Sequence, residues 1–235
     1  MKIAIPIILT VVYTAALLLA GGLSRIIGLE VSGNSFVNRQ VTYQVILLLI
    51  TGVSLLTTYI LNRENFLTYF SFGQISIPGN ELKVFGIKQG DSWLKTGLSL
   101  CVVITGVTVV FMYFQLKKTD VDWSILPNGI FWIVLFSLTN SFGEEMIYRM
   151  GLVSPLQGLL TPTKLFLISA VIFGLAHING MPSGIIGIAL AGILGFVLAK
   201  SVFETQGFFW AWLIHFLQDL VIIGSLYLMN KTMYG

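Results

Sequence analysis

Residues 128–149, "NGIFWIVLFSLTNSFGEEMIYR", open as an apolar span and close on Glu144, Glu145 and Arg149. About 20 such residues are needed for a helix to cross a bilayer. A carboxylate held near the middle of such a helix costs about 2.5–3.5 kcal/mol, so it needs a partner or a task. The stretch therefore poses two questions: whether the chain is a set of membrane helices, and what its buried charges do.

Composition answers the first. The 235 residues are 56% hydrophobic and 10% charged, with a mean hydropathy of +0.90, outside the range of soluble domains. Apolar spans lie at about 3–22, 42–61, 95–115, 128–147, 164–178, 184–202 and 207–229. The stretch from Met150 to Leu160, with Pro155 and two glycines, reads as a kinked continuation or a short eighth helix. The expected fold is an all-α polytopic transmembrane helical bundle of about 7–8 helices. Residues 1–126 supply N-terminal spans and a polar loop at 62–94, and residues 127–235 supply a densely hydrophobic core, within one integral membrane domain. Lys2 and the run after it imitate a signal peptide, but the apolar stretch is longer than a signal core and reads as an uncleaved helix.

The net charge of +3 contains no basic run, which argues against nucleic acid as a partner. Cys101 is the only cysteine, so no internal disulfide forms. No repeat and no glycine-rich phosphate loop is present. Over seven spans, one side collects Lys2, Arg63, Lys83, Lys88, Lys95, Lys164 and Lys200, and the other collects Arg25, Arg39, Lys117, Lys118 and Lys231. The excess favours a cytoplasmic N-terminus.

Most acids fall in loops, but Glu144, Glu145 and Asp219 lie in spans, as do both histidines, His177 and His215, in or beside late spans. Glu145 and Arg149 are four apart and can pair on one helix face. His215 and Asp219 share that spacing, so the carboxylate could fix the imidazole's tautomer or join it at a metal. Glu144 points about 100° away from Glu145, which lets one be structural and the other catalytic. A buried glutamate can act as a general base towards water, and histidines can hold a metal or stabilise an oxyanion. Glu144, His177 and His215, joined by Asp219, could alternatively ligate zinc, although no HExxH pair occurs. The plainer readings are a structural Glu145–Arg149 pair and a His215–Asp219 pair that glues helices or relays protons. Phe208, Phe209, Trp210 and Trp212 read as an interfacial aromatic belt, glycines 184, 187, 192 and 195 as close-packing positions, and Leu82–Lys88 as a surface-lying segment.

The segments "EEMIYR" at 144–149, "FGLAH" at 173–177 and "HFLQD" at 215–219 together resemble the EExxxR, FxxxH and HxxxN/D motifs of the CAAX-protease and bacteriocin-processing (CPBP, or Abi) family. The likeness covers roughly residues 127–229. It implies an intramembrane endopeptidase that cuts a membrane-associated peptide or protein. Glu144 and His177 would activate water, His215 and Asp219 would serve as oxyanion stabilisers or metal ligands, and Glu145 and Arg149 would support them. Zinc is the cofactor that this leaves open. Relatives often carry Asn where this chain has Asp219, and an ionised Asp cannot donate to an oxyanion, which leans towards the metal. The resemblance and the short loops suggest a bacterial plasma membrane protein, with the bilayer and a peptide substrate as partners. Two non-hydrolytic readings stand beside it: a protein of the same fold that binds a peptide, as in bacteriocin self-immunity, and a proton-coupled transporter.

Overall fold

The computed structural model describes residues 2–234, with side chains described through residue 230. All regular elements among them are helical. Helices α1 (Ala4–Leu23) and α2 (Ser35–Leu61) form an N-terminal hairpin, followed by the short α3 (Arg63–Tyr69) and α4 (Trp93–Leu116). Then come α5 (Leu126–Glu145), a π-helical turn (Met146–Met150), α6 (Gly151–Leu156), α7 (Pro162–Ala176), α8 (Gly184–Thr205) and α9 (Phe209–Tyr234). Six helical segments are long and apolar enough to cross a membrane, one of them the continuous Trp123–Leu156 rod, and α7 is shorter. The chain is an integral membrane protein.

The rod resolves the stretch after Met150: it is a continuation of α5, not a separate span. Pro155 lacks the N–H that would bond the carbonyl one turn back, and the helix ends at Leu156. The π turn precedes this weak point and contains Arg149. Such wide turns recur at functional sites because they re-aim side chains. Other ends follow from local chemistry. The Asn34 side chain accepts from the N–H groups of Phe36 and Val37 at the start of α2, so this helix begins earlier than its apolar run. Ser92 caps α4 in the same way.

The late helices pack as α7 on α8, α5 on α9 and α4 on α9, and α2 packs on α5. A Cβ at Gly143, next to Glu144, would lie 2.9 Å from Leu47 Cγ, so the missing side chain lets α2 approach the charged end of α5. Gly192 and Gly195 lie against Ala170 and Phe173 and serve the close packing expected of them, whereas Gly184 opens α8 in a left-handed conformation. The aromatic expectation fails at Trp210: this ring is buried, packs on Gly97 and donates to Ile75 O at 2.9 Å, because the 62–94 loop folds back over the start of α9.

That loop is tied down at several points. Gln74 N–H donates to Thr205 O at 2.7 Å, and Phe208 N–H donates to Ser71 O at 2.9 Å. The Glu204 carboxylate accepts from Trp93 Nε1 at 2.8 Å and from Asn80, and pairs with the buried Lys200. Between these anchors, Val84–Lys88 reaches the rim of a cavity. Val84 is exposed and Ile87 buried, so the segment lies partly on the surface and partly in the protein.

Candidate active site

Glu144 and Glu145 end α5, Arg149 sits in the π turn, His177 follows the last residue of α7, and His215 and Asp219 lie two and three turns into α9. The fold brings all six sequence-predicted residues together, and Glu145 and Arg149 are fully buried.

The two adjacent glutamates face different partners, as a 100° step requires. Glu145 Oε1 accepts from His215 Nδ1 at 2.8 Å, while its Oε2 pairs with Arg149 Nε at 3.1 Å. Arg149 also lies over the Phe173 ring, 3.9 Å from its centroid, and among the described residues none of its nitrogens has a hydrogen-bond partner. A guanidinium removed from water is thus compensated by one carboxylate and one aromatic face. The spacing of His215 and Asp219 allowed Asp219 to fix the imidazole or to join it at a metal; the partner of Nδ1 is Glu145. Asp219 lies on the other side of the ring, with Oδ1 3.7 Å from Nε2, because the α5–α9 contact presents Glu145 to Nδ1.

His177 Nδ1 lies 2.8 Å from Phe173 O, and a carbonyl only accepts, so Nδ1 carries the proton. In a neutral ring Nε2 is then a bare acceptor. That Nε2 lies 3.8 Å from Glu144 Oε2, and His215 Nε2 lies 3.8 Å from the same oxygen. Glu144 Oε2 is buried and makes no hydrogen bond to the described residues.

These separations distinguish two occupants. A water about 2.8 Å from each of two atoms 3.8 Å apart subtends about 85°, close enough to a water's geometry to bond both. Zinc at about 2.05 Å from the same pair would subtend about 135°, well wider than a tetrahedral angle. Among the described residues no group of three or more His, Cys, Asp or Glu side chains has a metal-holding arrangement. As arranged, the side chains fit a water better than zinc.

The sequence reading missed three contributors. Asn140, one turn before Glu144, donates to Glu144 Oε1 at 3.2 Å and to Asp219 Oδ2 at 3.1 Å. Phe173, inside a quoted motif but given no role, stacks against His177 at 4.3 Å and edges His215 at 5.7 Å, besides carrying Arg149. Tyr43, from α2, is near enough for its hydroxyl to feel the charges of Glu144 and Asp219. Phe173 left its trace as the first residue of the quoted "FGLAH" motif, and Asn140 as a polar residue at helical spacing from Glu144 inside a span.

His177, His215 and Asp219 line a cavity of about 650 Å³. Its α4 wall runs from Lys95 to Phe111, about 24 Å at 1.5 Å per residue. Apolar α8 residues from Gly187 to Val197 also line it. At the rim, Lys95 donates to Asp91 at 3.1 Å, and the Lys88 N–H donates to the same carboxylate. These two bonds hold the Asp91 carboxyl below its ordinary range.

The architecture and site together define a polytopic helical membrane protein with a buried acid–imidazole centre that opens into an apolar cavity. A family model described as "Type II CAAX prenyl endopeptidase Rce1-like" matches residues 125–221. The match takes in all three motifs and agrees with the resemblance to the CAAX-protease family, which is a family of proteases. A comparison with curated proteins and a comparison with solved structures gave no match.

Proposed function

We propose that this protein is an intramembrane endopeptidase that hydrolyses a peptide bond of a membrane-associated substrate with water activated by Glu144. The observation that carries this reading is the buried Glu144 Oε2, free of hydrogen bonds and 3.8 Å from the Nε2 atoms of both histidines. A water between Glu144 and His177 donates one hydrogen to each, which leaves its lone pairs free for a carbonyl carbon. As the water attacks, Glu144 takes its proton and the carbonyl oxygen becomes an oxyanion. His215, protonated on both nitrogens, donates to that oxyanion from Nε2. Asp219, at 3.7 Å, is too far to monopolise this N–H. The C–N bond then breaks, and Glu144 returns the proton to the leaving amine, giving a carboxylic acid and an amine. Glu145 and Arg149 hold His215 in place from behind.

The apolar cavity beside the centre suits a substrate with a hydrocarbon chain, and the family's description supports a prenyl group. The positive-inside count supports a cytoplasmic position for the Lys88–Lys95 rim.

The test is mass spectrometry of C-terminal cysteine peptides, with and without an S-farnesyl group, incubated with the purified protein in lipid nanodiscs. Wild type cleaves and Glu144→Gln, folded and inserted, does not. Full cleavage by the glutamine variant, or none by wild type, refutes the hydrolase reading. A chelator leaves the rate unchanged if water alone is activated. A loss restored by added zinc replaces this mechanism with a metal-assisted one.

A further inference from the structure

The geometry points to Asn140 as a positioning residue that holds the general base Glu144 and the acid Asp219 by one shared amide. This rests on the hydrolytic reading above and extends it to a residue outside the three motifs. The Asn140 Nδ2 group has two hydrogens, and it lies 3.2 Å from Glu144 Oε1 and 3.1 Å from Asp219 Oδ2. Each carboxylate therefore has one oxygen bound to the amide, and the other, Glu144 Oε2 or Asp219 Oδ1, facing His215 Nε2 at 3.8 or 3.7 Å. The amide selects which oxygen of each acid meets the reacting groups. It also places a donor between two carboxylates that would otherwise repel each other in a buried site, and it spans the contact between α5 and α9.

Four neighbouring donors are engaged elsewhere. Arg149 is turned to Glu145 and the Phe173 ring, His177 Nδ1 is bound to Phe173 O, and His215 Nδ1 is bound to Glu145. The neighbouring Thr139 hydroxyl donates to Gln44 Oε1 at 2.7 Å, so it faces α2 rather than α9. Among the described residues, Asn140 supplies the hydrogen bonds from protein donors to both acids. The presence of Asp at 219 makes such a donor necessary, because two carboxylates cannot bond one another without a proton.

The experiment uses the full chain in nanodiscs and the farnesylated peptide, with kcat and KM measured separately and thermal unfolding followed in parallel. A hydrogen bond to a charged group is worth enough that Asn140→Ala should lower kcat about 10- to 100-fold, while KM stays within about twofold. Asn140→Ser, with one hydroxyl hydrogen for two acceptors, should fall between, and it keeps the test open if the alanine variant fails to fold. Asn140→Asp, which puts a third carboxylate at the centre, should lose more than either. In an Asp219→Asn background the alanine change should cost less than in wild type, because only one acid remains to be held. An unchanged kcat in Asn140→Ala overturns the proposal, as does a loss seen only in melting temperature or KM, or one fully additive with Asp219→Asn. An active wild type with an indifferent Asn140 defeats this inference alone, whereas an inert wild type defeats the hydrolase reading and this one with it.

Discussion

Glu144 and Glu145 are neighbours of identical chemistry, yet replacing each with glutamine should have opposite consequences. Glu145 is fully buried and compensates two groups, Arg149 at 3.1 Å and His215 at 2.8 Å. A glutamine there offers one acceptor where two donors converge, and it leaves a buried guanidinium or imidazole facing an N–H. Breaking a buried ion pair from one side costs about 3–5 kcal/mol. At about 2–4 °C per kcal/mol for a chain of this size, the melting temperature should fall by about 6–20 °C. Glu144 differs. Its Oε1 accepts from Asn140, an interaction that a glutamine oxygen keeps, and its Oε2 bonds nothing. Glu144→Gln should therefore melt within about 1 kcal/mol of wild type while losing about 10²- to 10⁴-fold in peptide cleavage, the usual loss on removing a general base. Thermal unfolding in detergent and cleavage in nanodiscs give the two readings. Equal destabilisation by both variants, or a larger effect at Glu144, would refute the division of labour argued from the geometry.

Phe173→Leu removes the ring beneath Arg149, 3.9 Å from the guanidinium, and should cost about 2 kcal/mol of stability at this desolvated site, with a wild-type melting curve counting against the stacking argument. Gly97→Ala would place a Cβ 2.2 Å from the Trp210 ring; overpacking of this kind costs about 1–3 kcal/mol, again read by thermal unfolding. Glu204→Ala strips the partner from buried Lys200 and frees Trp93 Nε1 and Asn80. The 73–92 loop should then loosen, and trypsin should cut after Lys83 and Lys88 faster than in wild type. Unchanged digestion would show that the loop is held elsewhere.

Much was legible in the sequence because the bilayer leaves a chain few options. Without water, backbone polar groups must pair within each segment, so apolar runs of sufficient length can only be helices. That rule located every long span from hydropathy alone, and the same cost of desolvation singled out Glu144, Glu145, His177, His215 and Asp219 as residues requiring a reason. Helical spacing correctly paired Glu145 with Arg149 because both sit on one continuous helix. At His215 spacing left the roles open, and the Nδ1 partner came from α5 rather than one turn along α9: an imidazole has two nitrogens, and a neighbouring helix can present a better-placed acceptor than the residue four positions on. Hydropathy likewise could not show that Trp210 is buried under a returning loop. Nor could it show that α2 brings Tyr43 to the site, or that Asn140 bridges two acids. Those facts depend on which helix faces lie together at distances of a few ångström. One chain's hydropathy and helical periodicity record where each side chain points about its own axis, and only the packed bundle decides what it meets there.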